Sequence, residues 1–198
     1  MARRALDTYL TPEDTCTAGA YLLRKHVAHW LSPGIGEPVR VLEPAAGSGR
    51  LILMALRGLG VSRDNVHVTA VEKNPSWRRQ LVPKADEVYC PADFLFWATR
   101  CSKRFDLIVG NPPYADLALP FAIQAHRLLR PGGVLFYLLR LGFWESRPRK
   151  VWMQAHTPWG QGALSKRPSF TDDGCTDGTA YAWLAWRHGA APQWMELV

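Results

Sequence analysis

The 198-residue sequence lacks the features that mark membrane, secreted and metal-binding proteins. Its longest apolar stretch, from Val134 to Trp144, is interrupted by Arg140 and is shorter than the ~20 residues that a membrane-spanning helix needs. Arg3 and Arg4 are followed by polar residues and not by the apolar core of a secretion signal. The four cysteines show no CxxC spacing and no histidines at metal-ligand intervals. We therefore expect reduced cysteines, no bound metal, no membrane partner and a cytoplasmic location.

Repeats and low-complexity segments are also absent, and proline and glycine are spread evenly along the chain. Hydrophobic residues make up 47% and charged residues 21%, which excludes a disordered or fibrous protein. A length of 198 residues leaves room for one hydrophobic core. The sequence therefore predicts a single domain over residues 1–198.

Acidic residues are outnumbered, with 17 Asp and Glu against 24 Lys and Arg, giving a formal net charge of +7. Such a balance is typical of a domain that meets nucleic acid, although each basic cluster could also be an ordinary solvated face. Because the clusters follow predicted strand ends or lie in late loops, we expect them to share one phosphate-facing surface. The three clusters are Arg100, Lys103 and Arg104; Arg147, Arg149 and Lys150; and Lys166 with Arg167.

Predicted strands and helices alternate through most of the chain. Strands are predicted at 39–42, 66–71, 87–90, 105–109 and 134–139, and helices at 11–31, 51–59, 75–81 and 117–129. Two later strands, at 167–170 and 180–186, favour an antiparallel hairpin at the sheet edge. The strands are largely apolar, which predicts a mostly parallel sheet covered by helices on both faces.

Small and acidic residues follow the first three predicted strands, where open α/β sheets bind ligands. Gly47 and Gly49 let the backbone approach a ligand, but they also suit a purely structural turn or a dinucleotide enzyme. Glu72 can accept hydrogen bonds from both hydroxyls of a ribose, or cap a helix. Asp93 can accept from an adenine amino group while Phe94 packs on the ring, or it is a plain loop residue.

The segment Asn111-Pro112-Pro113-Tyr114 follows the fourth predicted strand and fits one chemical problem. An aromatic amine delocalises its lone pair into the ring and is a poor nucleophile until two fixed acceptors hold its N–H groups. The Asn111 side chain and the Pro112 carbonyl supply two such acceptors on a backbone that the prolines restrict. Tyr114 can stack on the base, which contributes about 1–3 kcal/mol per base. The alternative is a rigid structural turn.

These motifs resemble the amino-methyltransferases of the class I, Rossmann-like S-adenosylmethionine-dependent superfamily, and more narrowly small phage-type DNA N6-adenine methyltransferases. The resemblance implies a seven-stranded, mostly parallel sheet with an antiparallel last strand and helices on both faces, and S-adenosylmethionine as cofactor. It implies that Glu43 binds the cofactor's methionyl ammonium and that the target base lies between Tyr114 and Phe170. The implied cofactor-binding residues are Tyr9, Thr11, Pro12, Glu43, Ala45, Gly47, Gly49, Glu72, Lys73, Asp93, Phe94 and Asn111, and the implied substrate-binding residues are Tyr114, Lys166, Arg167 and Phe170.

The expected activity is methyl transfer to adenine N6 in DNA by base flipping, with limited sequence selectivity because no surplus residues form a target-recognition region. An N-terminal segment of about 1–32 would cover the cofactor, and small insertions at about 144–166 and 171–179 would bind substrate, with Trp144, Trp152 and Trp159 as stacking candidates. Methylation of an RNA adenine, a guanine amino group or a protein glutamine amide remains open. So does a catalytically idle nucleic-acid-binding module. A nicotinamide-dependent oxidoreductase is disfavoured because the glycine turn lacks a GxGxxG run.

Overall fold

A computed structural model describes residues 10–113, 115–145, 147–171, 175–176, 178–187 and 189–198. Its first helix, α1 (Glu13–Leu22), continues as a π-helical turn over Leu23–Val27 and a 3-10 turn over Ala28–Trp30. Two acidic residues in the first turn of α1 complement the positive end of the helix dipole. The helix predicted at 11–31 is thus confirmed, with a change of helical type near its middle.

One eight-stranded sheet organises the chain, in the order β3-β2-β1-β4-β5-β7-β6-β8. Strands β1 to β5 run parallel, β7 runs antiparallel to both neighbours, and β8 pairs parallel with β6. The predicted mixed sheet with one reversed strand is confirmed, and β8 adds an eighth strand at the edge. The strands are β1 (Val39–Glu43), β2 (Val66–Val71), β3 (Glu87–Tyr89), β4 (Phe105–Gly110), β5 (Leu129–Arg140), β6 (Gly160–Ala163), β7 (Tyr181–Arg187) and β8 (Trp194–Leu197).

Helices cover the two faces of the sheet, and alternation along the strands builds a separate core on each face. In β5, Phe136 and Leu138 join the core beneath α1 and α2, whereas Leu135 and Leu139 join the core beneath α4 and α5. Burying such a side chain stabilises the fold by about 1.5–3 kcal/mol. The remaining helices are α2 (Arg50–Leu59), α3 (Arg78–Leu81), α4 (Phe94–Arg100), α5 (Ala118–Arg127) and α6 (Arg147–Ala155).

The partner of β7 in the antiparallel hairpin is β6, so the strand predicted at 167–170 is wrong. Glycine is depleted in strands, which hides a segment that contains Gly160 and Gly162. Packing leaves no room for a side chain at either position. A Cβ on Gly160 would lie 1.9 Å from the indole of Trp194, and one on Gly162 would lie 2.3 Å from Leu22.

The tryptophans expected to offer stacking surface differ in exposure. Trp159 is 1% exposed and belongs to the α1-side core, so it offers no stacking surface. Trp152 is half-buried against His156 and Trp186, and the side chain of Trp144 lies outside the described part of the chain. Over that described part, no helix combines the length and apolar character needed to cross a bilayer.

Candidate active site

The carboxyl ends of β1 and β4 form the switch point of the sheet, because β2 and β3 lie on one side of β1 and β5 on the far side of β4. Open α/β sheets bind ligands in the crevice at such a point. The register pairs Leu42 with Ile108. Continuing it places Glu43, the last residue of β1, opposite Val109, and Asn111 follows two residues later. The acid and the amide predicted from sequence therefore flank one crevice.

The turn after β1 is fastened to the end of β2 by the carboxylate of Glu72. One oxygen of Glu72 accepts a hydrogen bond from the Gly47 N–H at 2.7 Å, and the other accepts from the Asn74 N–H at 2.7 Å. Gly47 and Gly49 have φ values of 49° and 76°, in the left-handed region that favours glycine. Gly49 is also the N-cap of α2. The glycines thus shape the turn, and Glu72 lies directly beneath it.

Glu43 is 1% exposed, and its Oε2 has no hydrogen-bond partner among the described residues. Burial raises the pKa of this carboxyl well above its ordinary value, against the lowering effect of the Ile52 N–H, and the nearby Glu72 raises it further. An unpaired buried carboxylate oxygen is costly until a donor or a cation reaches it. The site therefore fits an ammonium group, as the resemblance implies for the cofactor's methionyl end.

Asp93 follows β3 and is the N-cap of α4, where its Oδ1 accepts hydrogen bonds from the N–H groups of Leu95 and Phe96. Its Oδ2 accepts from Lys73 Nζ at 3.1 Å, which joins the ends of two neighbouring strands. Partial burial raises the pKa of Asp93, but Lys73 and the backbone donors outweigh it and hold the pKa below its usual value. Both side chains are well exposed, so the ion pair itself adds little stability.

Phe94 begins α4, and its ring is 2% exposed. It packs on Phe121 of α5 at 4.9 Å between ring centroids and on Trp97 at 6.2 Å. Ala45, in the turn after β1, is half-buried against the same core. These contacts anchor α4, which was not predicted, and bury the Phe94 ring in the core that α4 and α5 share.

Asn111 is tied to the segment that precedes α1. Its Nδ2 donates a hydrogen bond to Thr11 Oγ1 at 3.2 Å, across 100 residues of sequence. Thr11 is 4% exposed, and its carbonyl oxygen accepts from the guanidinium of Arg50 at 3.2 Å. The bond through Nδ2 directs the carbonyl oxygen of the Asn111 amide away from Thr11.

The prolines next to Asn111 differ in exposure, because Pro112 is buried and Pro113 is exposed. Pro12, which follows Thr11, is the N-cap of α1 with an extended backbone. The N-terminal segment and the loop after β4 therefore meet at the Thr11–Asn111 hydrogen bond. Tyr9 and Tyr114, both assigned to the site from sequence, lie outside the described residues.

The loop after β6 reaches the same edge of the sheet, because β6 runs in the direction of β5. In this loop Lys166 Nζ pairs with Asp14 of α1 at 2.8 Å, and Arg167 is exposed. Phe170 packs edge-on against Tyr181 at 5.2 Å between centroids. The substrate-binding residues predicted in this loop thus share the edge that carries Asn111.

The basic clusters do not share one surface. Arg104 directly precedes β4, and Lys103 pairs with Glu87 at the start of β3, so this cluster lies at the amino ends of the strands. The expectation of a common phosphate-facing surface is therefore wrong for it. The two later clusters follow β5 and β6 and lie on the side of the crevice.

Three residues at this edge were not selected from the sequence: Arg50, Arg140 and Tyr181. Arg50 is the first residue of α2, and Arg140 is the last residue of β5, where it pairs in register with Tyr181 at the start of β7. A signal existed for Arg140, which is the one charge within the apolar stretch from Val134 to Trp144. Tyr181 lies beside Arg140 because β5 and β7 pair as antiparallel neighbours, a contact that the local sequence pattern does not indicate.

No family model matches the chain. Over 84 residues it is 34% identical to a tRNA1(Val) (adenine(37)-N6)-methyltransferase of Mannheimia succiniciproducens, which covers 39% of this chain and 34% of that protein. Over 107 residues it is 28% identical to the type II methyltransferase M.CvrRI of Paramecium bursaria Chlorella virus XZ-6E, which covers 53% of this chain and 27% of that protein. The chain thus spans about a third of the length of the curated relatives it matches.

A solved structure from Listeria monocytogenes, provisionally assigned as a class I S-adenosylmethionine-dependent methyltransferase, superposes with a TM-score of 0.71 at 18% identity. The match covers 96% of this chain and 65% of the other. At this identity the likeness concerns the fold. The chain has the Rossmann-like fold of class I methyltransferases.

Proposed function

We propose that the chain is an S-adenosylmethionine-dependent methyltransferase that acts on the N6 amino group of adenine in a nucleic acid. The observation that carries the proposal is the position of Asn111, whose amide is held by Thr11 at the switch point. Nearby is the buried Oε2 of Glu43, which has no hydrogen-bond partner among the described residues. A neutral acceptor pair and an ammonium site in one crevice suit an amine substrate and this cofactor.

The residues of the crevice divide between the parts of the cofactor. Glu43 would hold the ammonium group, with Thr11 and Pro12 near the methionyl carboxylate, and Glu72 would accept from the ribose hydroxyls. The backbone of the glycine turn, together with the end of β3, would border the adenosine. When bound, S-adenosylmethionine supplies a methyl group on a sulfonium that is already a good leaving group.

The chain's own contribution is positioning, which can supply much of a barrier reduction when the reacting atoms are held in line. The carbonyl oxygen of the Asn111 side chain and the backbone carbonyl of Pro112 would accept the two N6–H bonds. Held in this way, N6 can pyramidalise and expose its lone pair. The new N6–C bond would form as the bond between the methyl carbon and the sulfonium sulfur breaks, and one N–H proton would pass from the nitrogen to solvent. The hydrogen bond to Thr11 restricts the Asn111 amide to one orientation.

DNA is the polymer that we propose first, on the basis of the net charge of +7 and the resemblance of Arg167-Pro168-Ser169-Phe170 to a late motif that packs on a flipped base. RNA is the second candidate, and one observation favours it: relatives such as the Mannheimia protein carry the name tRNA1(Val) (adenine(37)-N6)-methyltransferase. The acceptor pair at Asn111 and Pro112 would select a planar amino group, and it would not distinguish deoxyribose from ribose.

The test is methyl transfer from methyl-labelled S-adenosylmethionine to parallel pools of duplex DNA, single-stranded DNA, tRNA and protein, followed by digestion and identification of the labelled product. We expect the label in N6-methyladenine, and we expect it to be recovered from a DNA pool. Label in N6-methyladenine from tRNA alone would transfer the proposal to RNA. Label in glutamine alone, or in no pool, would refute it.

A further inference from the structure

Arg140 and Tyr181 form a polar pair beside the candidate catalytic loop, at the carboxyl end of β5. The two residues are register partners across the antiparallel β5–β7 ladder. Arg140 Nε donates a hydrogen bond to the Tyr181 hydroxyl at 3.1 Å, and the ring of Phe170 lies 5.2 Å from the Tyr181 ring. The guanidinium is thereby held near the aromatic residue that the resemblance assigns to the target base.

The side chain of Arg140 shares a face of the sheet with Asn111. Leu138 and Val109 both lie in the α1-side core, and Arg140 and Asn111 each follow one of them by two residues, the period of a strand. The register pairs Gly110 with Tyr137, so Arg140 lies three residues beyond that pair, about 10 Å further along the sheet. An arginine at this height stands at the mouth of the crevice rather than at its floor.

We infer that Arg140 binds the phosphate adjacent to the flipped adenine and so makes the enzyme select a polynucleotide over a free nucleoside; this inference rests on the proposed function. A base that swings into the crevice keeps its flanking phosphates at the mouth. The guanidinium of arginine matches phosphate oxygens with paired N–H donors. Because Tyr181 already restricts the side chain through Nε, less conformational freedom is lost when a phosphate binds.

The test uses a short oligonucleotide with one target adenine, in which each flanking phosphate is replaced in turn by a neutral methylphosphonate. For the wild type we expect one position where neutralisation lowers kcat/KM about 10- to 100-fold, the range of a charged hydrogen bond. Arg140→Gln should show the same loss on the unmodified oligonucleotide and no further loss at that position. Arg140→Lys should recover part of the activity, since a cation remains.

Arg104→Gln is the matched control, because Arg104 lies at the opposite edge of the sheet. This substitution also removes one positive charge, and we expect the variant to have the kcat/KM and the methylphosphonate profile of the wild type. Affinity for S-adenosylhomocysteine, measured by calorimetry, should be equal in all variants and reports that each is folded.

Two results would overturn the inference alone: a wild type insensitive to every flanking methylphosphonate, or an Arg140→Gln variant with the full wild-type profile. Insensitivity of the wild type would refute the inference even if Arg140→Gln does not fold. Failure of the wild type to methylate any oligonucleotide would overturn the proposed function, and this inference with it.

Discussion

Replacing Glu43 by glutamine removes the carboxylate that would face the bound ammonium group and keeps the shape of the side chain. The glutamine oxygen can still accept from the Ile52 N–H that borders the wild-type carboxyl. An ammonium ligand in this site would then lie buried without a counter-charge. Breaking one partner of a buried ion pair costs about 3–5 kcal/mol. We therefore expect the Kd for S-adenosylhomocysteine, which carries the same ammonium group, to rise more than about 100-fold.

The same substitution changes how binding and folding respond to pH. Burial raises the pKa of Glu43 in the free protein, and an ammonium ligand favours the carboxylate and lowers that pKa. Binding therefore releases a proton, and affinity increases as pH rises toward the raised pKa. Folding has the opposite sign: the stability of the free protein decreases as pH rises from the unfolded-state value of about 4.3 through the raised folded value. The Glu43→Gln variant should lack both responses.

Isothermal titration calorimetry with S-adenosylhomocysteine in buffers of different ionisation enthalpy measures the affinity and the released protons together. Glu37→Gln is the control, because Glu37 pairs with Arg130 on the surface near the start of β1. It should bind like the wild type. Wild-type affinity in Glu43→Gln, or proton release equal to that of the wild type, would refute the assignment of Glu43.

Two predictions concern the C-terminal edge of the sheet. A Cβ on Gly160 would collide with the indole of Trp194 on β8, so Gly160→Ala should lower the free energy of unfolding by about 1–3 kcal/mol in urea titrations. The control is Gly142→Ala, which should leave this free energy unchanged because no atom lies closer than 3.5 Å to the added Cβ. Equal urea midpoints for the two variants would contradict the packing at Gly160. Hydrogen bonds from His26 and Lys25 lower the pKa of Glu196 to about 2. This contribution to stability is present above about pH 4.3 and is lost as pH falls toward 2, so Glu196→Gln should flatten the acid limb of the stability profile, and an unchanged limb would count against it.

The sequence could predict the parallel half of the fold because its strands are continuous apolar runs that end at functional residues. Glu43, Glu72 and Asn111 each follow such a run, and the order of the strands brings Glu43 and Asn111 to one crevice. The hydrogen bond between Asn111 and Thr11 was beyond sequence reasoning, since 100 residues separate them. The resemblance nevertheless placed both residues in one site.

The C-terminal third was harder to predict because packing there overrides local preference. Gly160 and Gly162 form a strand that their propensity opposes, since neighbouring side chains occupy the space where a Cβ would lie. Helix α4 escaped detection because Asp93, a candidate ligand contact, also serves as its N-cap. Asp93 was interpreted as a ligand contact, and its role as a helix N-cap was therefore not considered.

In the proposed function, the Asn111 amide holds the accepting amine. The direct measurement is the single-turnover rate of methyl transfer from labelled S-adenosylmethionine to an oligonucleotide with one adenine, for the wild type and Asn111→Ala. We expect the variant to lose about 100-fold or more in rate, the scale of one lost transition-state hydrogen-bonding group, while its affinity for S-adenosylhomocysteine changes far less. An Asn111→Ala variant that methylates adenine at the wild-type rate would show that the Asn111 amide does not hold the amine.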